Sequence, residues 1–348
     1  MMMTSPRWIA LDIGGANIKA AHSLGQARSQ PFELWKHPED LPRILSTLTA
    51  TLPPADRVAV TMTAELCDCF PTKAEGVREV LAAMTQVYDE RQVWVWGTDE
   101  DFHNIAEVLD QPELAAASNW LALATLAARL VPEGPGLLID IGTTTTDLIP
   151  LRDGRPVPRG RTDTQRLRTG ELVYAGVRRT PVCALAAELP WKGVPTGLSA
   201  ELFATTLDIY LTLGALQPDP IDDATADGRP ATVEAARDRL ARMVGADRTT
   251  FSAEDARAFA LAADAALMAR LVAAAERACL DTIGRPRAAV VAGSGSFLAR
   301  RLAERVIEPG GTIIELDRAW GPVASSAGCA YALVVLAAER VGHVEAAP

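Results

Sequence analysis

Residues 137–151 read LLIDIGTTTTDLIPL, and the fold class follows from how that run is interrupted. Leu137 to Ile141 is apolar except for Asp140. Gly142 then opens four consecutive threonines, and Asp147 is followed by a second apolar pair. Short apolar runs on either side of a glycine read as two strands joined by a tight turn. Gly142 is expected to permit close backbone approach and positive φ. The hydroxyls and backbone N–H groups of Thr143, Thr144 and Thr145 can cradle phosphate oxygens. Asp140 and Asp147 could hold a divalent cation, directly or through water. A carboxylate inside an apolar strand is costly without a partner, so a binding site explains Asp140 better than packing does.

The same arrangement occurs near the start, in WIALDIGGANIKAA, residues 8–21. An apolar strand carries Asp12; Gly14 and Gly15 make the turn; Asn17 and Lys19 follow, and Lys19 is a compact charge suited to phosphate. Two copies of strand, Asp-x-Gly, turn and strand predict two lobes of like construction around a central cleft. The boundary falls in Pro132-Glu133-Gly134-Pro135-Gly136, which cannot continue a helix. The domains expected are therefore 1–134, with the first phosphate loop, and 135–348, with the second.

LDIGGANIKAA, IDIGTTTTD and VVAGSGSFLA (residues 290–299) together resemble the two phosphate loops and the adenosine loop of the actin, Hsp70 and sugar-kinase superfold. IDIGTTTTD is most similar to the hydantoinase A/oxoprolinase branch. The stretches TMTAELCDCFPTKAEGV (61–77), TGELVYAGVRRTPV (169–182), SAELFATTLDIYLTLG (199–214) and TADGRPAT (225–232) resemble its small family of tetrahydromethanopterin-linked one-carbon transfer proteins. Characterised archaeal members of that family couple an (aminomethyl)furan to tyramine in methanofuran synthesis. The resemblance implies an α/β fold of two ribonuclease-H-like lobes. It also implies a transferase that joins a furanylmethyl diphosphate to a phenol and releases diphosphate. Phosphate contacts would come from Gly14, Gly15, Asn17, Lys19, Gly142, Thr143, Thr144, Thr145 and Arg179. Gly293, Ser294 and Gly295 would form the nucleotide-like loop. Asp12, Asp140 and Asp147 would hold Mg2+ or another divalent cation, and Asp140, Lys19 and Glu65 would be catalytic. ATP stays open as a ligand, since the same loops bind nucleotides in an ATP-dependent kinase or a hydantoinase/oxoprolinase-like hydrolase. A third alternative is a non-catalytic ATP-dependent switch; four charged residues kept at the two turns argue against a purely structural role.

Composition narrows the partners. The formal net charge is −10, which argues against nucleic acid as the main partner. The expected ligand is an anionic phosphorylated small molecule held by local positive charge, with a homodimer the one assembly considered. No apolar run is expected to reach the roughly 20 residues of a membrane span. The opening MMMTSPRW lacks the layout of a signal peptide. Five scattered cysteines fit reduced thiols in the cytoplasm rather than a disulfide framework.

Glu65 follows the strand Val58–Thr63, where α/β folds place ligand sites; an acid near a helix start is its alternative reading. Cys67 and Cys69 lack the further ligands of a zinc site and read as thiols. The arginines at 159, 161, 166, 168, 178 and 179 suggest an anion clamp, best at Arg178 or Arg179. Helices are expected at 115–131, 199–213 (Phe203 inward, Glu201 and Asp208 on one face) and 323–341. A strand is expected at 170–177, a hairpin turn at 152–155, and a mobile acidic loop at 218–230.

Overall fold

The apolar run Trp8–Ile13 forms β1, buried along its whole length, in a computed structural model that describes residues 6–341. Around it lie β2 (Asn17–His22), β3 (Ala27–Pro31), β4 (Arg57–Met62), β5 (Val93–Trp96) and β6 (Phe102–His103), in the order β3-β2-β1-β4-β5-β6. β1 pairs antiparallel with β2 and parallel with β4, so Asp12 lies opposite Lys19 on one side and Thr61 on the other. Helices Leu41–Thr49 and Lys73–Val87 cover the sheet with Leu45, Leu48, Val77, Val80 and Leu81, all buried.

The second sheet repeats the plan. β7 (Pro135–Ile141), β8 (Thr146–Arg152), β9 (Arg155–Pro156), β10 (Leu172–Val173), β13 (Ala288–Ala292) and β14 (Thr312–Glu315) run β10-β8-β7-β13-β14, with β9 beside β8; β11 (Glu188–Trp191) and β12 (Val194–Gly197) form a separate hairpin. In each sheet the early strands lie in reverse chain order on one side of the first and later strands are added on its other side, which is the ribonuclease-H-like order, here present twice.

The chain divides into two compact units. The first holds residues 6–138, 149–166 and 314–341, the second 139–148 and 167–313. The boundary expected at 134/135 therefore needs correcting, because two later segments return to the first unit. β9 packs against helix Asn119–Ala127, and the closing helix Gly328–Arg340 packs against that helix and against β1, β2 and β4. In the second unit, helices Thr206–Thr212, Val233–Arg242, Ala253–Leu280 and Ser296–Val306 are pinned by one buried and one partly exposed ion pair. Arg239 Nε donates to Asp208 Oδ1 at 2.8 Å, and Arg301 grips Asp264 through two bonds of 3.0 and 2.6 Å.

Local turn chemistry overrides several expected elements. The helix at 199–213 begins only at Thr206, because Thr205 and Asp208 form a capping box there. Phe203 is consequently outside the helix and partly exposed, and Asp208 is buried against Arg239 rather than sharing a face with Glu201. The helix at 115–131 is limited to Asn119–Ala127, since Ala117 takes a left-handed φ of 50°. The strand at 170–177 shrinks to Leu172–Val173. The closing helix begins just after Gly321, whose φ is 85°, and is broken at Ala327 into Pro322–Ser326 and Gly328–Arg340. The hairpin at 152–155 is present, with Asp153 and Gly154 at φ 50° and 76° and Arg152 paired to Arg155. The expectation of no membrane-length apolar run is also corrected. Helix Ala253–Leu280 meets that test by length and composition, but half of its apolar window is buried within the protein, as in a core helix.

Candidate functional site

Each unit carries one of the two turns, and the two close in the same way. In the first, Gly14 N–H donates to the Asn17 carbonyl at 3.1 Å; in the second, Gly142 N–H donates to the Thr145 carbonyl at 2.9 Å. An acid precedes each glycine by one residue's gap, Asp12 before Gly14 and Asp140 before Gly142. At the matching place beyond each turn, Lys19 stands in the first unit where Asp147 stands in the second. One turn therefore offers a cation and the other a second carboxylate. Turn residues 14–17 and 142–145 are partly exposed, flanked by buried strands.

Asp12 is 7% exposed, and burial pushes its carboxyl up from the ordinary range, opposed by the charge of Lys19 and a hydrogen bond from Asn119. That bond runs from Asn119 Nδ2 to Asp12 Oδ1 at 3.3 Å. The strained Ala117 sets up the approach: the next residue, Ser118, donates to the Trp96 carbonyl at 2.9 Å and lies 2.9 Å from Thr61 Oγ. The Cys67 thiol packs on the backbone of Gly15, and burial pushes it up to about 11. Such a thiol is inert at neutral pH, which agrees with a packing role.

The second turn is gripped by backbone from two sides. Val177 N–H donates to the Gly142 carbonyl at 3.0 Å, and Arg178 and Arg179 N–H both donate to the Thr143 carbonyl, at 3.1 and 3.0 Å. A methyl group at Gly176 would lie 2.6 Å from Gly142 O, Thr143 C and Thr144 N. Gly295 N–H donates to the Ile141 carbonyl at 2.8 Å, and Gly293, at φ 87°, packs against the Asp140 carboxylate. The Gly293-Ser294-Gly295 loop thus abuts the second turn. Gly142 itself has no positive φ, and a methyl there would meet only Thr145 O at 3.5 Å. The close approach expected at Gly142 belongs instead to Gly176 and Gly293. Of the two arginines, Arg178 is partly buried and ion-paired with Asp222, while Arg179 is exposed.

Glu65 ends up 1% exposed, with both carboxylate oxygens buried. Gly76 explains the placement: a methyl there would lie 2.6 Å from Glu65 Cα, so only glycine lets helix Lys73–Val87 press this closely. Burial raises the Glu65 carboxyl from 4.5 to about 7; the backbone N–H groups of Glu65 and Ala117 and the charge of Lys73 pull it down, and Asp163 pushes it up. Below pH 4.5 Glu65 is protonated folded and unfolded. Between 4.5 and about 7 only the native state keeps the proton, so stability falls as pH rises, by about 3 kcal/mol in all, and is level above that. Urea unfolding of Glu65→Gln should therefore show a gain over the native sequence that grows by roughly that amount from pH 5 to pH 8. A gain equal at both pH values would place the carboxyl in contact with water.

Sequence reasoning missed several members of these sites. Lys73 lies 3.3 Å from Asp163; Arg166, 2% exposed, sits 4.0 Å over the Trp120 ring. Lys73 reads in the sequence only as the start of a capped helix, and nothing local marks Asp163. Asn119 and Trp120 carried a weak signal as a polar interruption of an apolar stretch. Among the described residues no three His, Cys, Asp or Glu side chains gather to hold a metal ion. Mg2+ can bind through one or two carboxylates and complete its octahedron with water and substrate phosphates; Asp140 and Asp147, beside the second turn, and Asp12, beside the first, are the carboxylates that would hold it.

A synthase from Methanocaldococcus jannaschii, (4-{4-[2-(gamma-L-glutamylamino)ethyl]phenoxymethyl}furan-2-yl)methanamine synthase, is 35% identical over 243 residues, covering 69% of this chain and 72% of the relative. The enzyme of the same name from Methanococcus vannielii is 36% identical over 119 residues, 34% of this chain and 53% of the relative. Among solved structures, nucleotide-free acetone carboxylase superposes with a TM-score of 0.50 at 14% identity, over 87% of this chain and 46% of that one. The fold class is that of the actin, Hsp70 and sugar-kinase superfold. The profile of the Hydantoinase/oxoprolinase family matches residues 56–338, and with both turns in place the chain belongs to that family.

Proposed function

We propose that the protein is a transferase that joins an (aminomethyl)furan methyl diphosphate to the phenol oxygen of a tyramine or tyrosine derivative and releases diphosphate. The step belongs to methanofuran-type cofactor synthesis for one-carbon metabolism, in the cytoplasm. The observation that carries the reading is the 35% identity to a synthase whose name describes such an ether, a phenoxymethyl group on a furan bearing a methanamine.

The residues suit that chemistry. The phenol oxygen attacks the furan methylene, the methylene–oxygen bond to diphosphate breaks, and its electron pair leaves with the diphosphate. Positive charge and N–H donors aimed at the departing oxygens stabilise that charge as it develops. Thr143, Thr144, Thr145 and the Arg179 side chain offer them at the second turn, and Lys19 offers charge at the first. Bound Mg2+ would add charge neutralisation at the leaving group. Asp140 anchors this electrostatic arrangement. A phenol with a reference pKa near ~10 needs help to lose its proton, and Glu65, pushed up to about 7, is poised as the base.

The ligand is then an anionic phosphorylated small molecule, and an acidic chain of net charge −10 must hold it by these local donors. A nucleotide-dependent reaction is the rival reading, favoured by the contact between the Gly293-Ser294-Gly295 loop and the second turn. Inorganic diphosphate with Mg2+ is expected to inhibit coupling and to raise Tm, because binding to the folded state stabilises it by about 2.7 kcal/mol at a hundred times the Kd. Diphosphate that leaves both Tm and turnover unchanged would remove the phosphate-turn assignment.

A further inference from the structure

We propose that Asn119 is a positioning residue for Asp12: its side-chain amide holds the carboxylate in one orientation beside the first turn, and as a neutral donor it leaves the negative charge to a divalent cation bound with diphosphate. The inference rests on the reading of Asp12 as a carboxylate that would hold that cation, and adds the residue that aims it.

The contacts carry it. Asp12 lies in a strand buried along its whole length and is itself 7% exposed, so its carboxylate needs a donor. Asn119 Nδ2 supplies one, donating to Asp12 Oδ1 at 3.3 Å. The amide cannot be turned round. Its Oδ1 accepts the Trp120 N–H at 2.7 Å, which leaves the nitrogen to face the acid. Asn119 is also the first residue of helix Asn119–Ala127, and a helix N-terminus favours a carboxylate beside it. The corner leading into that helix is docked on two neighbouring strands. Asp12 and Thr61 are partners in the parallel pairing of β1 and β4. Ser118 Oγ lies 2.9 Å from Thr61 Oγ1, and the next residue, Asn119, reaches Asp12. The left-handed Ala117 turns the chain so that both can do so. Lys19, the partner of Asp12 on β2, stands on its other side. A lysine or arginine at 119 would neutralise the acid, whereas an amide fixes its orientation and keeps its charge, as the outer hydrogen-bond partners of metal-binding carboxylates do.

The test reads binding rather than turnover. The Kd of radiolabelled inorganic diphosphate is measured by equilibrium dialysis, with Mg2+ and with a chelator, and the ratio of the two is the gain in affinity that Mg2+ gives. The full chain is compared with Asn119→Leu, which keeps the side-chain volume, Asn119→Ala, which suits the helix start, Asp12→Ala, and Asp12→Ala combined with each change at 119. Urea midpoints check that each variant is folded. The gain should fall about tenfold in both single variants at 119, with the affinity measured in chelator unchanged. It should fall in Asp12→Ala as well, and a change at 119 should then cost nothing more, because Asn119 acts through Asp12. A gain reduced in Asp12→Ala but native in the Asn119 variants would overturn the proposal alone, as would an equal loss from Asn119→Ala in both backgrounds. No gain in the native chain, or a gain that Asp12→Ala leaves intact, would remove the cation reading of Asp12 and this inference with it.

Discussion

Asp140→Asn is expected to lower turnover by at least about a hundredfold while the protein stays folded, the cost of removing one group aimed at developing charge. Asparagine has the shape of aspartate, so the packing of the Asp140 side chain against Gly293 is kept. What is lost is the negative charge two residues ahead of the glycine that closes the second turn. On the proposed mechanism the change would remove an anchor for Mg2+ and for the cationic groups around the leaving diphosphate. It should appear in kcat with little change in the urea midpoint. Near-native turnover from a folded variant would make Asp140 a packing residue. The matching change at Asp12 is expected to behave differently in stability. Burial already pushes that carboxyl up, so Asp12→Asn should be neutral or stabilising above the ordinary carboxylate range.

Gly293→Ala is expected to destabilise the second unit by about 2–5 kcal/mol and to abolish diphosphate binding. Two causes add. The backbone stands at φ 87°, where a side chain costs roughly 1–2 kcal/mol. The new methyl also overlaps the Asp140 carboxylate and the Ile141 carbonyl, and overpacking of that kind costs about 1–3 kcal/mol. The Ile141 backbone is held by the strand and by the Gly295 N–H, and cannot move away without opening the turn. Gly142→Ala is the control: its methyl meets only Thr145 O at 3.5 Å, and φ there is not positive. Denaturant midpoints and diphosphate-induced shifts in Tm, measured side by side, should separate the two variants. Equal tolerance at both positions would mean that the Gly293 loop does not press on the turn.

Much of this was legible in the sequence. β1 and its turn read directly from WIALDIGGAN, because a fully buried strand is an unbroken apolar run and Asp-x-Gly marks its end. The 28-residue helix Ala253–Leu280 followed from Ser252, whose capping box with Asp255 fixes its start. The failures share a cause, which is that contacts far apart in the chain decide them. Thr206, not Ser199, begins its helix because the Thr205–Asp208 box is locked by Arg239, thirty-one residues further along. The closing helix joins the first unit because its apolar face matches β1, β2 and β4, a fit that no local pattern announces. At the sites, acids and glycines in strands could be read, since each violates its local pattern. Lys73 and Asp163 violate nothing where they stand, and only the fold pairs them across 90 residues.

The most direct test of the proposed chemistry is product formation from the furanylmethyl diphosphate and the phenol with Mg2+ and no nucleotide. The account predicts the ether and one diphosphate per turnover, at a rate that added ATP does not raise. Strict dependence on ATP, with ADP released in step with product, would contradict it.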